Sequence, residues 1–324
     1  MVTLTPSDRA LLFELDRDAR QPFSKIARTL RLNKETIRNR FELLKQRGVI
    51  AGTTVLCNIP KLGGLYVKVY LGFGAPSERE ERRLLAFLER APQVVWLVEC
   101  FGRYDAIING VFSDLSEFDR FTMRFMDEFG KCVERYDVSF LTDVRKLPRA
   151  YLSPKAVHNH PVVAPAAIPD VRDAAILAEL CRDARLDSHA IGLRVGLTAA
   201  AVRHRIRALV ARKVIANFTL NLNHSVFERS LVKLVVRLRH SSTARKNSFI
   251  SYCAGLEGIL YITCGKGVSD IDLDFEVLSL EGFNRLLRGM RRSNRDLMRE
   301  YEILVISKEH KLDFSGAFLT LAGR

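Results

Sequence analysis

Three observations predict an α+β chain of two tandem copies, each a trio of short helices followed by a βαββαβ domain. The sequence repeats itself at an offset of 165 residues, each copy passes from helical periodicity to strand alternation, and a proline-rich stretch separates the copies. DRALLFELDRDAR (Asp8 to Arg20) falls on DAAILAELCRDAR (Asp173 to Arg185), and 18 of the 44 positions from Asp8 to Ala51 match their counterparts. The same offset sets Lys68 on Lys233, Asp105 on Asp270, Phe118 on Phe283 and Tyr136 on Tyr301. A constant register over most of the chain is the mark of a duplication.

Composition bounds what the copies can be. At 324 residues, with 48% apolar and 27% charged residues, the chain is long enough for several packed cores and is not a disordered one. The net charge of +14 favours polyanionic partners, nucleic acid or an anionic membrane surface. Cys57, Cys100, Cys132, Cys181, Cys253 and Cys264 form no CxxC pair, so buried reduced thiols are expected in place of a zinc or redox site. Without an apolar leader or a run of 18 uncharged apolar residues, the expectation is a soluble cytoplasmic protein that contacts no membrane.

In the first copy, Leu11, Leu12 and Leu15 give one apolar helix face, repeated by Ile176, Leu177 and Leu180. After Pro22 a second helix, SKIARTL, turns Ile26 and Ala27 inward, and Leu32 packs in the turn before a third helix that Asn33 can cap. There Ile37, Phe41 and Leu44 form the buried stripe, matched by Val202, Ile206 and Leu209. The other side of the first copy's third helix carries Lys34, Glu35, Arg38, Asn39 and Lys45, amide and cationic groups suited to base edges and phosphates in a major groove. The second copy supplies Arg203, Arg205, Arg207, Arg212 and Lys213 but places Ala199, Ala200 and Ala201 at the start of the helix. Each three-helix segment is basic, 11 against 6 acidic residues in Asp8 to Ile50 and 8 against 4 in Asp173 to Ile215. Such a face fits DNA; protein binding and simple solvation are the alternatives the residues leave open.

Strand alternation follows. LYVKVYLGF is a strand, the segment from Glu78 a helix with Leu84, Leu85 and Leu88 inward, and QVVWLVECF and DAIINGVF a strand pair around Gly102. SEFDRFTMRFMDEF is a helix with Phe118, Phe121, Phe125 and Phe129 on one side, and YDVSFLTDV closes the sheet. The resulting ferredoxin-like βαββαβ order covers only one sheet face with helices. The open face predicts a partner. The first copy's apolar sheet residues and the second copy's charged ones are unlike partners, which favours a homodimer over intrachain packing. In the second copy Asp270, Asp272, Asp274 and Glu276 share one strand face, and Lys233, Val235, Arg237 and Arg239 share a face of its predicted neighbour. Opposed charges, or a polar contact between modules, explain both rows more simply than a metal or catalytic site.

The boundaries follow: a first helix-turn-helix domain over 1–60, a first βαββαβ domain over 61–147, a linker over 148–169, a second helix-turn-helix domain over 170–225 and a second βαββαβ domain with a tail over 226–324. Five prolines between Leu147 and Pro169 make the linker extended and semi-rigid, with His158 and His160 solvated in it.

The blocks SKIARTLRLNKETIRNRFELLKQRGVIAG and GRYD (Gly102 to Asp105), with the opening LLFELDRDAR, resemble the leucine-responsive regulator (Lrp/AsnC) family of bacterial and archaeal transcription factors. The resemblance covers nearly all of Leu4 to Leu147 and, more loosely, Asp170 to Leu312. It implies a helix-turn-helix regulator of double-stranded DNA, non-enzymatic and without cofactor or metal, with a sensing domain that dimerises and takes an amino acid or other small effector. Thr36 and Arg40 match the family's third-helix Thr and Arg, with Arg40 implied as a phosphate contact; the second copy has Ala201 and Arg205 there. The family's turn glycine is Arg31 in the first copy and Gly196 in the second, and its glycine before the final Val-Ile is Gly48 and then Lys213. Gly102 and Asp105, with Gly267 and Asp270, match the Gly-x-x-Asp of the sensing domain, which implies a place on the effector rim; a tight turn is the simpler role for the glycines. The site residues expected on DNA are thus Asn33, Lys34, Glu35, Thr36, Arg38, Asn39, Arg40 and Lys45, with Arg203, Arg205, Arg207, Arg212 and Lys213. Sirohaem decarboxylases resemble fused members of the same superfamily and carry a histidine-bearing stretch, but QVVWLVECFGRYDAIINGVF and its counterpart GILYITCGKGVSDIDLDF contain none. A DNA-associated architectural protein with a degenerate second module is the other alternative.

Overall fold

The structure, a computed structural model, describes residues 3–153, 170–240 and 242–322. His158, His160 and the greater part of the expected linker lie outside the described residues. The first module runs α1 (Pro6–Arg17), α2 (Phe23–Leu30), α3 (Lys34–Gln46), β1 (Ile50–Cys57), β2 (Leu65–Phe73), α4 (Glu78–Arg90), β3 (Val94–Phe101), β4 (Ala106–Phe112), α5 (Leu115–Phe129) and β5 (Val133–Lys146). The second repeats it as α6 (Val171–Arg182), α7 (Ser188–Val195), α8 (Ala199–Ala211), β6 (Ile215–Leu222), β7 (Ser230–Leu238), α9 (Thr243–Ala254), β8 (Ile259–Gly267), β9 (Ile271–Val277), α10 (Leu280–Ser293) and β10 (Met298–Leu312). A last helix, α11 (Ser315–Ala322), closes the chain.

Within each module the strand order, β3-β4-β2-β5 and β8-β9-β7-β10, is the antiparallel order expected of a ferredoxin-like domain. The sheets do not remain separate. β5 pairs with β8 and β10 pairs with β3, so all eight strands form one closed barrel. Closure removes every sheet edge and covers both open faces within one chain.

The sequence argument for a homodimer rested on the unlikeness of the two faces, and that argument fails for a physical reason. The first module's inner face is not wholly apolar: Lys68, only 1% exposed, donates to Asp272 Oδ2 at 2.5 Å, and Tyr70 O–H donates to the same oxygen at 2.6 Å. Lys233 donates to Asp274, its cross-strand neighbour, as the opposed rows predict. Asp272 thus makes a polar contact between the modules, while Asp274 pairs within its own. Burial raises the Asp272 carboxyl, but Lys68 and Lys233 outweigh it and hold it below the usual range.

Each three-helix head sits differently on the barrel. Beneath the first, Asp16 Oδ1 receives Lys146 Nζ at 2.7 Å and Arg149 Nη1 at 2.6 Å, and Arg149 Nε donates to Glu276 Oε1 at 3.0 Å. His224 Nδ1 is 2.8 Å from Glu276 as well. The repeat-equivalent positions under the second head are Cys181, Lys311, Phe314, Val111 and Ile59, and the joint there is mostly apolar: α6 packs on Ile59, Val111 and α11 residues Ala317 and Phe318. The start of the expected linker is docked too. Ala150–Leu152 form a 3-10 turn, and Leu152 is buried in the first head's core.

Candidate nucleic-acid interface

Each head is built to hold its third helix by the back and leave the front free. In the first, Ile37, Phe41 and Leu44 are buried against Leu11, Leu12, Leu15 and Ile26. Asn33 caps α3: its side-chain oxygen accepts from Thr36 N–H at 2.6 Å, so this residue and the Thr36 amide are engaged at the helix start. In the second head Thr198 does the same for Ala201 N–H at 3.2 Å. Lys34, Glu35, Arg38, Asn39 and Lys45 are all exposed, and Thr36 is half-buried. Arg203, Arg207, Arg212 and Lys213 of the other head sit on its outer side, where Arg207 Nε donates back to the Arg203 carbonyl at 3.3 Å.

Two of the expected phosphate contacts are otherwise occupied. Arg40 Nη1 donates to Asp8 Oδ1 at 2.8 Å and to Thr5 Oγ1 at 3.1 Å, tying α3 to the capping box that starts α1. Arg205 Nη1 donates to Asp170 Oδ2 and Asp173 Oδ1, both at 2.7 Å, which is the same tie in the second head. Both arginines are folding struts at the edge of the recognition face. Arg212 also approaches Asp173, at 3.7 Å.

The missing turn glycines leave the backbone unchanged. Arg31 adopts φ +55° where Gly196 has +70°, and Lys213 adopts +58° where Gly48 has +67°. A side chain in this left-handed region is strained by roughly 1 kcal/mol.

A contact the sequence reading missed fixes the heads to each other. Arg20 Nη1 donates to the carbonyls of Ala184 at 2.5 Å and Leu186 at 2.8 Å in the second head. Its repeat-equivalent, Arg185, donates to Ala19 at 2.5 Å and Gln21 at 3.2 Å in the first, and its guanidinium lies 3.9 Å from the Phe23 ring centroid. Burial lowers the pKa of both. Beside this exchange β1 and β6 pair antiparallel into a two-stranded ribbon. One signal was available: Arg20 and Arg185 are identical in both copies although they line no core and sit on no third helix.

Of the residues expected at an effector rim, the two glycines lie on the barrel seams. Gly102, at φ +137°, lies where a Cβ would meet the Ile303 carbonyl oxygen at 2.7 Å, and Gly267, at +139°, where one would meet the Val138 oxygen at 2.1 Å. Each glycine lets its module's backbone touch the other's. Asp105 accepts from Phe73 N–H at 2.7 Å and Asp270 from Leu238 N–H at 3.0 Å, equivalent strand-end caps in the two modules.

Comparison with known proteins agrees with this architecture. A model of the AsnC-type helix-turn-helix domain matches residues 4–45 and 170–210. The HTH-type transcriptional regulator Ptr1 of Methanocaldococcus jannaschii is 31% identical over 121 residues, covering 35% of this chain and 76% of that protein. An uncharacterised HTH-type regulator of Pyrococcus furiosus is 34% identical over 116 residues, again 35% of this chain and 76% of the relative. Among solved structures, the sirohaem decarboxylase NirDL covers 98% of both chains with a TM-score of 0.65 at 13% identity, a likeness of fold.

Proposed function

Because this chain belongs to the Lrp/AsnC family of helix-turn-helix regulators, we propose that it binds duplex DNA sequence-specifically through both heads and regulates transcription, with a small effector modulating it. Its sequence relatives make it a DNA-binding protein of the transcription-factor type, regulatory in kind and not catalytic. The observation that carries the finer reading is the pair of packed heads, each with an exposed cationic third helix, joined by the Arg20 and Arg185 exchange. The likeness to a decarboxylase adds nothing to the enzymatic alternative, since at that identity it speaks to fold.

The heads divide the work. Lys34, Glu35, Arg38 and Asn39 offer donors and acceptors to base edges, whereas Ala199, Ala200 and Ala201 offer none. Arg203, Arg207, Arg212 and Lys213 suit phosphates, which position a protein without conveying sequence. A single chain supplies both heads and both sheets, so it is the DNA-binding unit, and any homodimer uses other surfaces.

Fluorescence anisotropy on a selected site and on random duplex tests this. Lys34→Ala or Arg38→Ala lowers the preference for the selected site; Arg203→Ala or Arg207→Ala weakens both duplexes alike and flattens the salt slope. Binding indifferent to salt and to duplex sequence in the unmodified protein sinks the proposal.

A further inference from the structure

The two helices that cover the first module's sheet, α4 and α5, border a groove of about 640 Å³ on the outside of the barrel. Its lining sorts their charges. The two helices carry eight carboxylates and six arginines, yet the groove takes one carboxylate, Glu128, and five arginines, Arg79, Arg82, Arg83, Arg90 and Arg124. All five arginines are exposed. Arg83 Nη2 donates to Glu128 Oε1 at 3.1 Å, and Arg82 lies 3.9 Å from Glu78. Arg79, Arg90 and Arg124 make no ion pair among the described residues.

The second copy shows that the fold does not require these arginines. Its residues at the five positions are Ala244, Asn247, Ser248, Gly255 and Gly289, none of them a cation. The cations of its first outer helix stand elsewhere, Arg245 and Lys246 falling where the first copy has Glu80 and Glu81. The same two helices pack on the same kind of sheet in both modules, so the arginine groove is an addition to one of them.

The floor of the groove is apolar and fixed. Ala86 and Phe87 are half-buried at its base, and the Phe87 ring lies 6.1 Å from Phe121 and 5.4 Å from Phe129. At the Arg90 end Lys311 of the second module donates to the carbonyls of Glu89 at 2.8 Å and Ala91 at 2.9 Å, which ties down the end of α4. A site already held in shape loses little freedom on binding. Rim and floor together select the occupant. Guanidinium forks take carboxylates as bidentate partners, and an apolar floor between two helices takes aliphatic side chains. Duplex DNA brings phosphates but nothing to fill such a floor. A peptide chain bearing acidic and aliphatic residues matches both.

We propose that this groove is the docking site for an acidic segment of a partner protein, its carboxylates held by Arg79, Arg90 and Arg124 and its aliphatic side chains lying on Ala86 and Phe87. The chain then holds DNA by its heads and a second protein by one flank, that of the first module.

The probe is a short fluorescein-labelled peptide of Glu, Asp and Leu, titrated into the full chain and followed by anisotropy. One twin carries Gln and Asn in place of the acids, and another carries Ser in place of Leu. The heads are basic too, so variants locate the binding. Arg79→Gln, Arg90→Gln and Arg124→Gln combined should weaken the acidic peptide about tenfold or more while leaving Tm and duplex affinity unchanged. Arg38→Ala with Arg203→Ala should weaken duplex binding and leave the peptide's affinity as it was. Both twins should bind more weakly than the acidic peptide. No peptide binding at millimolar concentration, equal binding of either twin, or unchanged affinity in the triple variant overturns the proposal. A triple variant that loses duplex and peptide affinity alike assigns the groove to DNA, and overturns it as well.

Discussion

Arg20 and Arg185 occupy the same place in the two copies, and each gives its guanidinium to backbone carbonyls of the opposite head. Among the described residues neither makes an ion pair there, so the bond is to backbone that side-chain substitutions leave in place. Replacing either with alanine strands two carbonyls in a partly enclosed interface. We expect a loss of about 1–2 kcal/mol from each, read by denaturant unfolding, together with weaker duplex binding. The double variant should lose less than the sum, since one loosened exchange already frees the other. Strict additivity would mean the two contacts act independently.

Arg38 and Arg40 are two residues apart on one helix and should behave oppositely. Arg40→Ala cuts the tie to Asp8, a pair about a third exposed on the arginine side, and should lower stability by up to about 1 kcal/mol. Arg38→Ala should leave Tm within a degree or so and act on DNA affinity. If Arg40→Ala left stability intact and abolished binding, the phosphate contact implied by the family resemblance would be restored.

The seam glycines should be intolerant. Gly267→Ala drives a methyl to 2.1 Å from the Val138 oxygen, and Gly102→Ala to 2.7 Å from that of Ile303. Both also force a side chain into a backbone region it rarely adopts. We expect losses of about 2–4 kcal/mol, with Gly267→Ala the worse. A fully stable Gly267→Ala chain with altered small-molecule response would argue for the effector rim instead.

Acid should unseat the first head before the second. Burial raises the Glu276 carboxyl, but Arg149 and His224 more than reverse it, to about 2 from the usual 4.5. A carboxyl depressed in the folded state contributes stability that is complete above about 4.5 and is lost as pH falls toward 2. That contribution is on the order of 3 kcal/mol. Asp16 moves the same way: burial raises it, and Lys146 and Arg149 pull it below the usual range. Stability measured between about pH 6 and pH 3 should fall, and Glu276→Gln should flatten that dependence. An unchanged slope in the variant would assign the acid sensitivity elsewhere.

Much of this was legible in the sequence because it is periodic. The strand read as LYVKVYLGF is β2 to the residue, and the phenylalanines at 118, 121, 125 and 129 are the buried stripe of α5. The cap at Asn33 and the opposed charges of β7 and β9 were equally plain. Barrel closure was not, because pairing of β5 with β8 joins edges whose backbone bonds carry no residue signature. The ties of Arg40 and Arg205 to Asp8 and Asp173 were not legible because a basic side chain on a third helix is the same residue whether it faces phosphate or a carboxylate. The repeat itself held the clue: Asp8 with Arg40 and Asp173 with Arg205 persist in both copies, while Lys34, Glu35 and Thr36 give way to Ala199, Ala200 and Ala201.

The continuous barrel and ribbon also settle a matter of dilution. Two heads carried by separate subunits drift apart when protein is scarce, and any change in one appears in its twin. Heads borne on one polypeptide keep their spacing at any concentration, and each can mutate alone. Under the proposed function such a chain would have a front and a back, and would suit a stretch of DNA that has no symmetry of its own.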